Sequence, residues 1–186
     1  MRKRSAGFNL VEIMIAMAIV AVMMALAAPN LRDFMRNARI SALTNDLMAD
    51  LQMARTEAVK AKRRAWFCVS DTGSEGVCLG GGWTDKYRAV IVDLNDDNIS
   101  NAGDFTARHK IADSSAGSPT VTLSGTATAY GVTFLPSGVL GGGVQRTFRI
   151  CDTRNGPNGV GASPFLHRQI TIAPSGRAQV DQINCQ

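Results

Sequence analysis

The chain has 186 residues, of which 45% are hydrophobic and 19% are charged. This composition excludes an intrinsically disordered protein and a polytopic membrane protein, and the length predicts one globular domain with an appendage. The formal net charge is +5. Loss of the three basic residues Arg2, Lys3 and Arg4 would leave +2, which is weak evidence for a polyanionic partner.

An apolar segment follows this basic N-terminus. Every residue from 13 to 28 is apolar, and at about 1.5 Å per residue a helix from Phe8 to Ala28 would span roughly 30 Å, the thickness of a bilayer core. The preceding basic residues predict that the N-terminus stays in the cytoplasm and that the rest of the chain crosses the membrane. A cleaved signal peptide ending at 25–28 and a retained helix are both compatible with this pattern.

Glu12 favours the retained helix. An ionisable residue within a membrane helix costs about 2.5–3.5 kcal/mol at the bilayer centre, less near an interface, and usually has a designated partner. A signal peptide that is discarded has no use for such a carboxylate.

Residues 7–13, with the sequence GFNLVEI, the apolar run and Pro29 together resemble the prepilin motif of type IV pilins and of type II secretion pseudopilins. The resemblance implies that a prepilin peptidase cleaves after Gly7 and N-methylates Phe8. It also implies that the helix forms the core of a filament, in which Glu12 pairs with the N-terminal amine of a neighbouring subunit.

The helical pattern continues past Pro29, which is expected to kink or locally melt the helix. Apolar residues recur at three- and four-residue steps through 31–61, so residues 30–64 are predicted to form an amphipathic continuation of the apolar half, 8–29. The basic cluster at 60–64 suits a solvated helix C-terminus.

From Ala65 onward, short β-branched and aromatic runs alternate with turn residues. The predicted strands are Ala65–Ser70, Tyr87–Leu94, Thr106–Ile111, Thr120–Ser124, Tyr130–Leu135, Arg146–Cys151, Arg168–Ala173 and Arg177–Ile183. After a cleaved leader at 1–7, the sequence therefore predicts an α+β, pilin-like fold, with a long helix packed on the antiparallel sheet of a β-rich domain at 65–186. Stretches such as 80–83 and 175–177 resemble minor pilins of the FimT/FimU type and the related H-type minor pseudopilins.

The four cysteines form no C-x-x-C pair, and an exported domain favours disulfides over metal ligation. Three pairings are possible. Cys68–Cys78 would close a turn-rich loop and Cys151–Cys185 would join two late strands, and these are the pairings that we predict.

The sequence offers one candidate metal site and no catalytic one. Asp93, Asn95, Asp97 and Asp104 fall at positions 1, 3, 5 and 12 of a calcium-loop template, although asparagine replaces the sixth-position glycine; a plain polar hairpin loop is the alternative. His109 and His167 have no nearby acid and no nucleophile motif, so we interpret both as surface residues of strands and expect no enzyme activity and no other cofactor.

The late arginines suggest a possible DNA contact. Arg149, Arg168 and Arg177 contribute to a local positive excess, and the DNA-binding pilins of natural transformation grip DNA with a Gly-Arg-x-Arg motif. Here Gly176-Arg177-Ala178-Gln179 retains the first arginine of that motif and lacks the second.

The resemblance thus predicts a minor type IV pilin that acts in the tip or priming complex of a pilus. Its expected partners are other minor and major pilins, the prepilin peptidase and the inner membrane, with the domain in the periplasm before assembly and in the pilus afterwards. A DNA-binding pilin and a minor pseudopilin of a type II secretion system are the alternatives.

Overall fold

The structure is a computed structural model that describes residues 9–70, 78, 87–95, 97, 100–101, 103–111, 119–124, 131–151 and 167–183. It contains one helix, α1 (Leu10–Ala61), in these ranges. The strands are β1 (Ala65–Ser70), β2 (Tyr87–Val92), β3 (Phe105–Ile111), β4 (Thr120–Ser124), β5 (Gly131–Phe134), β6 (Arg146–Cys151), β7 (His167–Ile172) and β8 (Ala178–Ile183). The predicted α+β class is confirmed.

Helix α1 ends in a Schellman motif. The Arg63 backbone N–H donates to the carbonyl of Ala58 at 3.1 Å and that of Lys62 donates to Val59 at 3.3 Å. Lys62 has a φ of 53°, in the left-handed region that glycine usually occupies at this position. The motif ends the helix within the predicted basic cluster and leads the chain directly into β1.

The strands form two antiparallel sheets, rather than the single sheet that the helix-on-sheet prediction envisaged. Sheet A has the order β3-β2-β1-β5 and sheet B the order β4-β6-β7-β8. The chain leaves sheet A after β3, contributes β4 to sheet B, returns for β5 and then completes sheet B.

One hydrophobic core joins the C-terminal half of α1 to both sheets. The helix contributes buried Ile40, Leu47, Leu51, Ala54 and Ala58, and the sheets contribute Phe67, Val90, Phe134, Phe148, Ile150, Ile170 and Ile172 among others. The rings of Phe67 in sheet A and Phe148 in sheet B lie 6.0 Å apart and tilted by 56°, within the range of favourable aromatic contacts. The helix and the two sheets therefore share one hydrophobic core.

The chain divides into two compact units, Met1–Ala38 and Arg39–Gln186. The boundary falls nine residues beyond the sequence-based division at 29/30, next to Ile40, the first buried apolar residue among the described side chains of the helix at 2% exposure. The second unit contains both sheets and the whole core.

Candidate functional site

The N-terminus of α1 is capped by Asn9. Its side-chain Oδ1 accepts a 3.4 Å contact from the Val11 N–H, and its backbone carbonyl accepts from Glu12 at 3.0 Å. Asparagine is among the preferred N-cap residues because its side chain satisfies an otherwise unpaired helix donor. Glu12 lies in the first turn of the helix and is exposed. The predicted cleavage and methylation residues, Gly7 and Phe8, lie outside the described residues.

The first part of α1 is apolar and uncovered. Its large apolar side chains from Leu10 to Leu26 are each 43–72% exposed. Within the described ranges, no helix meets the length and hydropathy expected of a membrane span. The helix is uninterrupted through Pro29, so the predicted local melting is not seen there, and the kink stays a prediction.

The disulfide prediction is confirmed for the first pair. Cys68 and Cys78 are bonded, with their Cα atoms 5.6 Å apart, an ordinary separation for a disulfide. Cys151 is also disulfide-bonded, whereas Cys185, its predicted partner, lies outside the described residues.

The Cys68–Cys78 bond organises the side of sheet A that faces away from the main core. Cys68, Ala89 and Ile91 form a second buried cluster there, at 0–3% exposure, with Trp66 and Cys78 packed against it. The Cys78 backbone N–H donates to Ser100 Oγ at 2.8 Å. The disulfide and this hydrogen bond together link β1 to the loop between β2 and β3.

The candidate calcium residues lie in that β2–β3 loop, where hydrogen bonds engage their oxygens. Asp97 Oδ2 accepts from the side-chain amides of Asn95 at 2.8 Å and Asn101 at 2.6 Å. The two oxygens of Asp104 accept from the backbone N–H groups of Leu94 at 3.1 Å and Asn101 at 3.0 Å.

These contacts match the polar hairpin loop that was the alternative to a calcium site. Asp93 of the template is fully buried. In the part of the chain that the structure describes, no three His, Cys, Asp or Glu side chains gather as a metal site would require. Calcium binding remains an untested prediction.

The three candidate DNA-binding arginines do not form one patch. Arg149 pairs with Gln169 on the exposed face of sheet B, whereas Arg168 pairs with the buried Ile150 and therefore lies on the opposite face. Arg177 lies beyond the far end of β7, more than four residues from Arg168 along the strand direction. A phosphate backbone would have to contact two faces of the sheet to meet all three.

His167 corrects the interpretation of the histidines as surface residues. Its exposure is 3%, and it pairs with Ile183 of β8. The side chain of His109, on β3, is outside what the structure describes.

Two matching turns, whose similarity the sequence analysis did not note, join the sheets to the helix. Residues 135–138 after β5 and 173–176 after β7 both contain Pro-Ser-Gly, and we call them the twin turns. In each, the glycine N–H donates 2.8 Å to the carbonyl three residues earlier. The two glycines, Gly138 and Gly176, have φ values of 78° and 79°, which favour glycine.

The twin turns touch each other and are held by α1. A Cβ on Gly176 would overlap the carbonyl oxygen of Gly138, and the Leu140 N–H donates to the Pro174 carbonyl at 2.9 Å. From the helix, Arg55 Nε donates to Gly138 O at 2.9 Å and Arg55 Nη2 donates to Ser175 O at 3.3 Å. One guanidinium thus ties the helix to a turn of each sheet. The repeated Pro-Ser-Gly was the sequence signal for this site.

Comparisons with known proteins agree with this architecture. Residues 43–176 match the family model described as type II transport protein GspH, and residues 2–28 match the prokaryotic N-terminal methylation motif. A search of curated protein sequences finds no match.

Two crystal structures of the Pseudomonas aeruginosa type IV minor pilin FimU are similar in fold, each at 22% identity. The first, in space group P21, has a TM-score of 0.55 and aligns over 80% of this chain and 92% of FimU. The second, in space group P65, has a TM-score of 0.51, with coverages of 76% and 91%. Because its family model spans most of the chain, from the middle of α1 to the second twin turn, the protein belongs to the GspH family of pilin-like proteins.

Proposed function

We propose that the protein is a minor type IV pilin, a non-enzymatic subunit of the complex that primes or caps a pilus. The prepilin peptidase would cleave after Gly7 and methylate Phe8, and the protein would wait in the inner membrane with its domain in the periplasm. It would then join other minor and major pilins in the filament. The methylation motif, the GspH domain and the FimU-like fold support this proposal.

The observation that carries the proposal is the uncovered first part of α1 beside a single carboxylate. A large apolar side chain gains about 1.5–3 kcal/mol when it leaves water completely, so the twelve between Leu10 and Leu26 require lipid or neighbouring helices around them. Transfer of this helix from lipid into a bundle of like helices would build the filament.

Glu12 would determine the register at which the transferred helix aligns with its neighbours in the bundle. A carboxylate that enters an apolar bundle needs a counter-charge, because the loss of its hydration costs several kcal/mol. The amine of a neighbouring subunit's mature N-terminus, which stays cationic after methylation, supplies that charge. A mispaired subunit would leave both charges uncompensated.

The test combines processing with incorporation. We expect Glu12→Ala to leave membrane insertion, cleavage and methylation intact, since removal of a charge does not oppose insertion, and to reduce incorporation into filaments. Glu57→Ala is the matched control, because Glu57 lies on the same helix beyond its apolar first part and pairs at 3.4 Å with the exposed Lys60.

The mass of the mature N-terminus checks the processing pathway. A methylated Phe8 is expected, and a mature chain that starts at Ala28 would contradict the proposal. Normal incorporation of Glu12→Ala would refute the pairing role alone.

A minor pseudopilin of a type II secretion system is the second candidate, favoured by the description of the matching family as a transport protein. Deletion of the protein distinguishes the two functions. Loss of surface pili with normal secretion would support the pilus, and loss of secretion with normal pili would support the pseudopilin.

A further inference from the structure

Strand β8 forms an edge of sheet B that lacks the usual protection of an edge. Edge strands commonly carry lysine, proline or a bulge, or are covered, because their open backbone groups can pair with another chain. In sheet A, the edge strand β3 pairs with β2 through a bulge, and the edge strand β5 is bridged to Leu140. β8 has the sequence AQVDQI, pairs with β7 without a shift of register, and is exposed at residues 179–182. In the part of the chain that the structure describes, no strand lies beyond it.

The turn before β8 determines where its backbone groups point. The Ala173 N–H donates to the Arg177 carbonyl at 2.9 Å, so these two residues form a hydrogen-bonded pair. Hydrogen-bonded and non-hydrogen-bonded pairs alternate along an antiparallel ladder. Ala178, Val180 and Gln182 therefore direct their N–H and carbonyl groups away from β7. The open edge presents a donor and an acceptor at every second residue, which is the pattern that an added strand requires.

The core-facing side of this edge is apolar and only partly covered. Val180 pairs with Ile170, which pairs with Phe148, so the three side chains share one face. Ile170 and Phe148 are fully buried, whereas Val180 is 42% exposed. On the same face, Ala178 and Leu51 of α1 line a groove of about 150 Å³, well below the roughly 300–1,000 Å³ of a small-molecule site. An added strand would cover Val180 and place one side chain beside this groove.

The other face of the edge carries a charge near each end. Arg177 and Asp181 are exposed, and both share a face with Gln179 because side chains alternate along a strand. All described pairs of sheet B are antiparallel, and antiparallel pairing is slightly more stable than parallel pairing. A complementary strand would therefore read basic, apolar, polar, apolar, acidic from its N-terminal end, with the basic residue beside Asp181 and the acidic residue beside Arg177.

The order of residues in β8 itself fits this pattern, from Arg177 to Asp181. Antiparallel pairing of two β8 strands, however, has a twofold axis normal to the sheet. The C-terminal half of α1 packs against the core-facing sides of both sheets, so this axis would reverse the direction of the helix in the second copy. Helices that enter one filament point the same way. A second copy therefore cannot join the proposed assembly through its own β8.

We propose that β8 binds an extended segment of a different pilin subunit, which adds to sheet B as a fifth, antiparallel strand. The proposal rests on the proposed function, which places other minor and major pilins beside this domain. It adds a directional contact between globular domains to the helix packing.

Site-specific photocrosslinking of the full-length chain, in cells that assemble the filament, tests this contact. With a benzophenone amino acid at Gln179, we expect a crosslink to another protein that carries the prepilin methylation motif. Mass spectrometry should place the crosslink in a segment with the predicted order of charged and apolar residues. Thr122, exposed on the same face at the opposite edge of sheet B, is the matched control position and should not give this crosslink.

Substitutions at Val180 test strand addition itself. Val180→Pro removes an N–H that points away from β7, so it should leave the melting temperature of the chain in detergent close to that of the wild type. It should lower the crosslink yield roughly tenfold. Val180→Ile retains the donor and the apolar side chain and should leave the yield unchanged. Val180→Lys retains the donor but adds a charge of the kind that blocks natural edges, and it should lower the yield similarly even if the proline variant fails to fold.

A crosslinker at Met17, exposed on α1, reports helix packing and separates this proposal from the proposed function. Crosslinks to pilins from Met17 without any from Gln179 would overturn the strand contact alone, and the absence of both would overturn assembly as well. A crosslink from Gln179 to a second copy of this chain, or to a protein without the methylation motif, would overturn the choice of partner. An undiminished yield in both Val180→Pro and Val180→Lys would overturn strand addition.

Discussion

Replacement of Gly176 by alanine should be the most destabilising single methyl addition in the described turns. At a φ of 79° a non-glycine residue costs about 1–2 kcal/mol. The new Cβ would overlap the carbonyl oxygen of Gly138, and the backbone shift that relieves the overlap costs about 1–3 kcal/mol more. The lower entropy of the unfolded alanine variant offsets about 0.4–1 kcal/mol of this sum.

The expected net loss is about 3 kcal/mol, which lowers the melting temperature of a domain of this size by roughly 6–12 °C. Gly142→Ala is the matched control, because Gly142 has a φ of 82° and nothing lies within 4 Å of its added Cβ. It carries the backbone cost without the steric one, so we expect a loss of about 1 kcal/mol. The melting temperature of the full chain in detergent, followed by near-ultraviolet circular dichroism, gives both values. Equal losses in the two variants would refute the argument that the twin turns pack against each other.

Arg55→Ala should cost about 2 kcal/mol by removing two charge-assisted hydrogen bonds to turn carbonyls, with Arg149→Ala within about 0.5 kcal/mol of wild type in the same melts; a neutral Arg55→Ala would show that the guanidinium does not clamp the turns. Loss of the disulfide in Cys68→Ala/Cys78→Ser should cost about 2–3 kcal/mol, since the bond closes a loop of sequence separation 10. Reductant should lower the melting temperature of this variant by less than it lowers that of the wild type. Asp104→Ala should cost about 1–2 kcal/mol, because it removes the acceptor of two backbone N–H groups. The loss should be equal in calcium and in chelator, and a loss seen only in calcium would instead support the calcium site.

Local sequence patterns predicted the secondary structure well because the alternation of apolar and polar residues in a strand depends on a few residues that are adjacent in the sequence. Thr120–Ser124 and Arg146–Cys151 form strands at the predicted bounds, and the alternation in β6 places Phe148 and Ile150 in the core. The disulfide between Cys68 and Cys78 was equally local, since ten residues separate the two cysteines. Short-range periodicity and turn chemistry suffice for such features.

The features that the sequence did not reveal depend on contacts between distant parts of the chain. The helical periodicity of α1 assigns no role to Arg55, because the acceptors of its guanidinium lie 83 and 120 residues away in the sequence. The burial of His167 depends on the packing around sheet B, which the sequence of β7 alone does not reveal. The division into two sheets likewise follows from which strands pair with each other, and the alternation of apolar and polar residues within a strand does not determine its partners.

The crossing of the chain between the sheets has a consequence for the order of folding. Sheet A lacks its β5 edge until Gly131–Phe134 arrives, yet β4, the edge of sheet B, precedes β5 in the chain. Sheet A can therefore be completed only after β4 of sheet B has been synthesised, and the Arg55 contact with Ser175 closes across 120 residues. Such long-range contacts slow folding, because the entropy of closing a long loop is lost before the contacts can form. During synthesis the emerging chain would expose part of the apolar face of α1 until β7, which carries the buried Ile170 and Ile172, has been made, and this interval is when the domain is most vulnerable to proteolysis and aggregation.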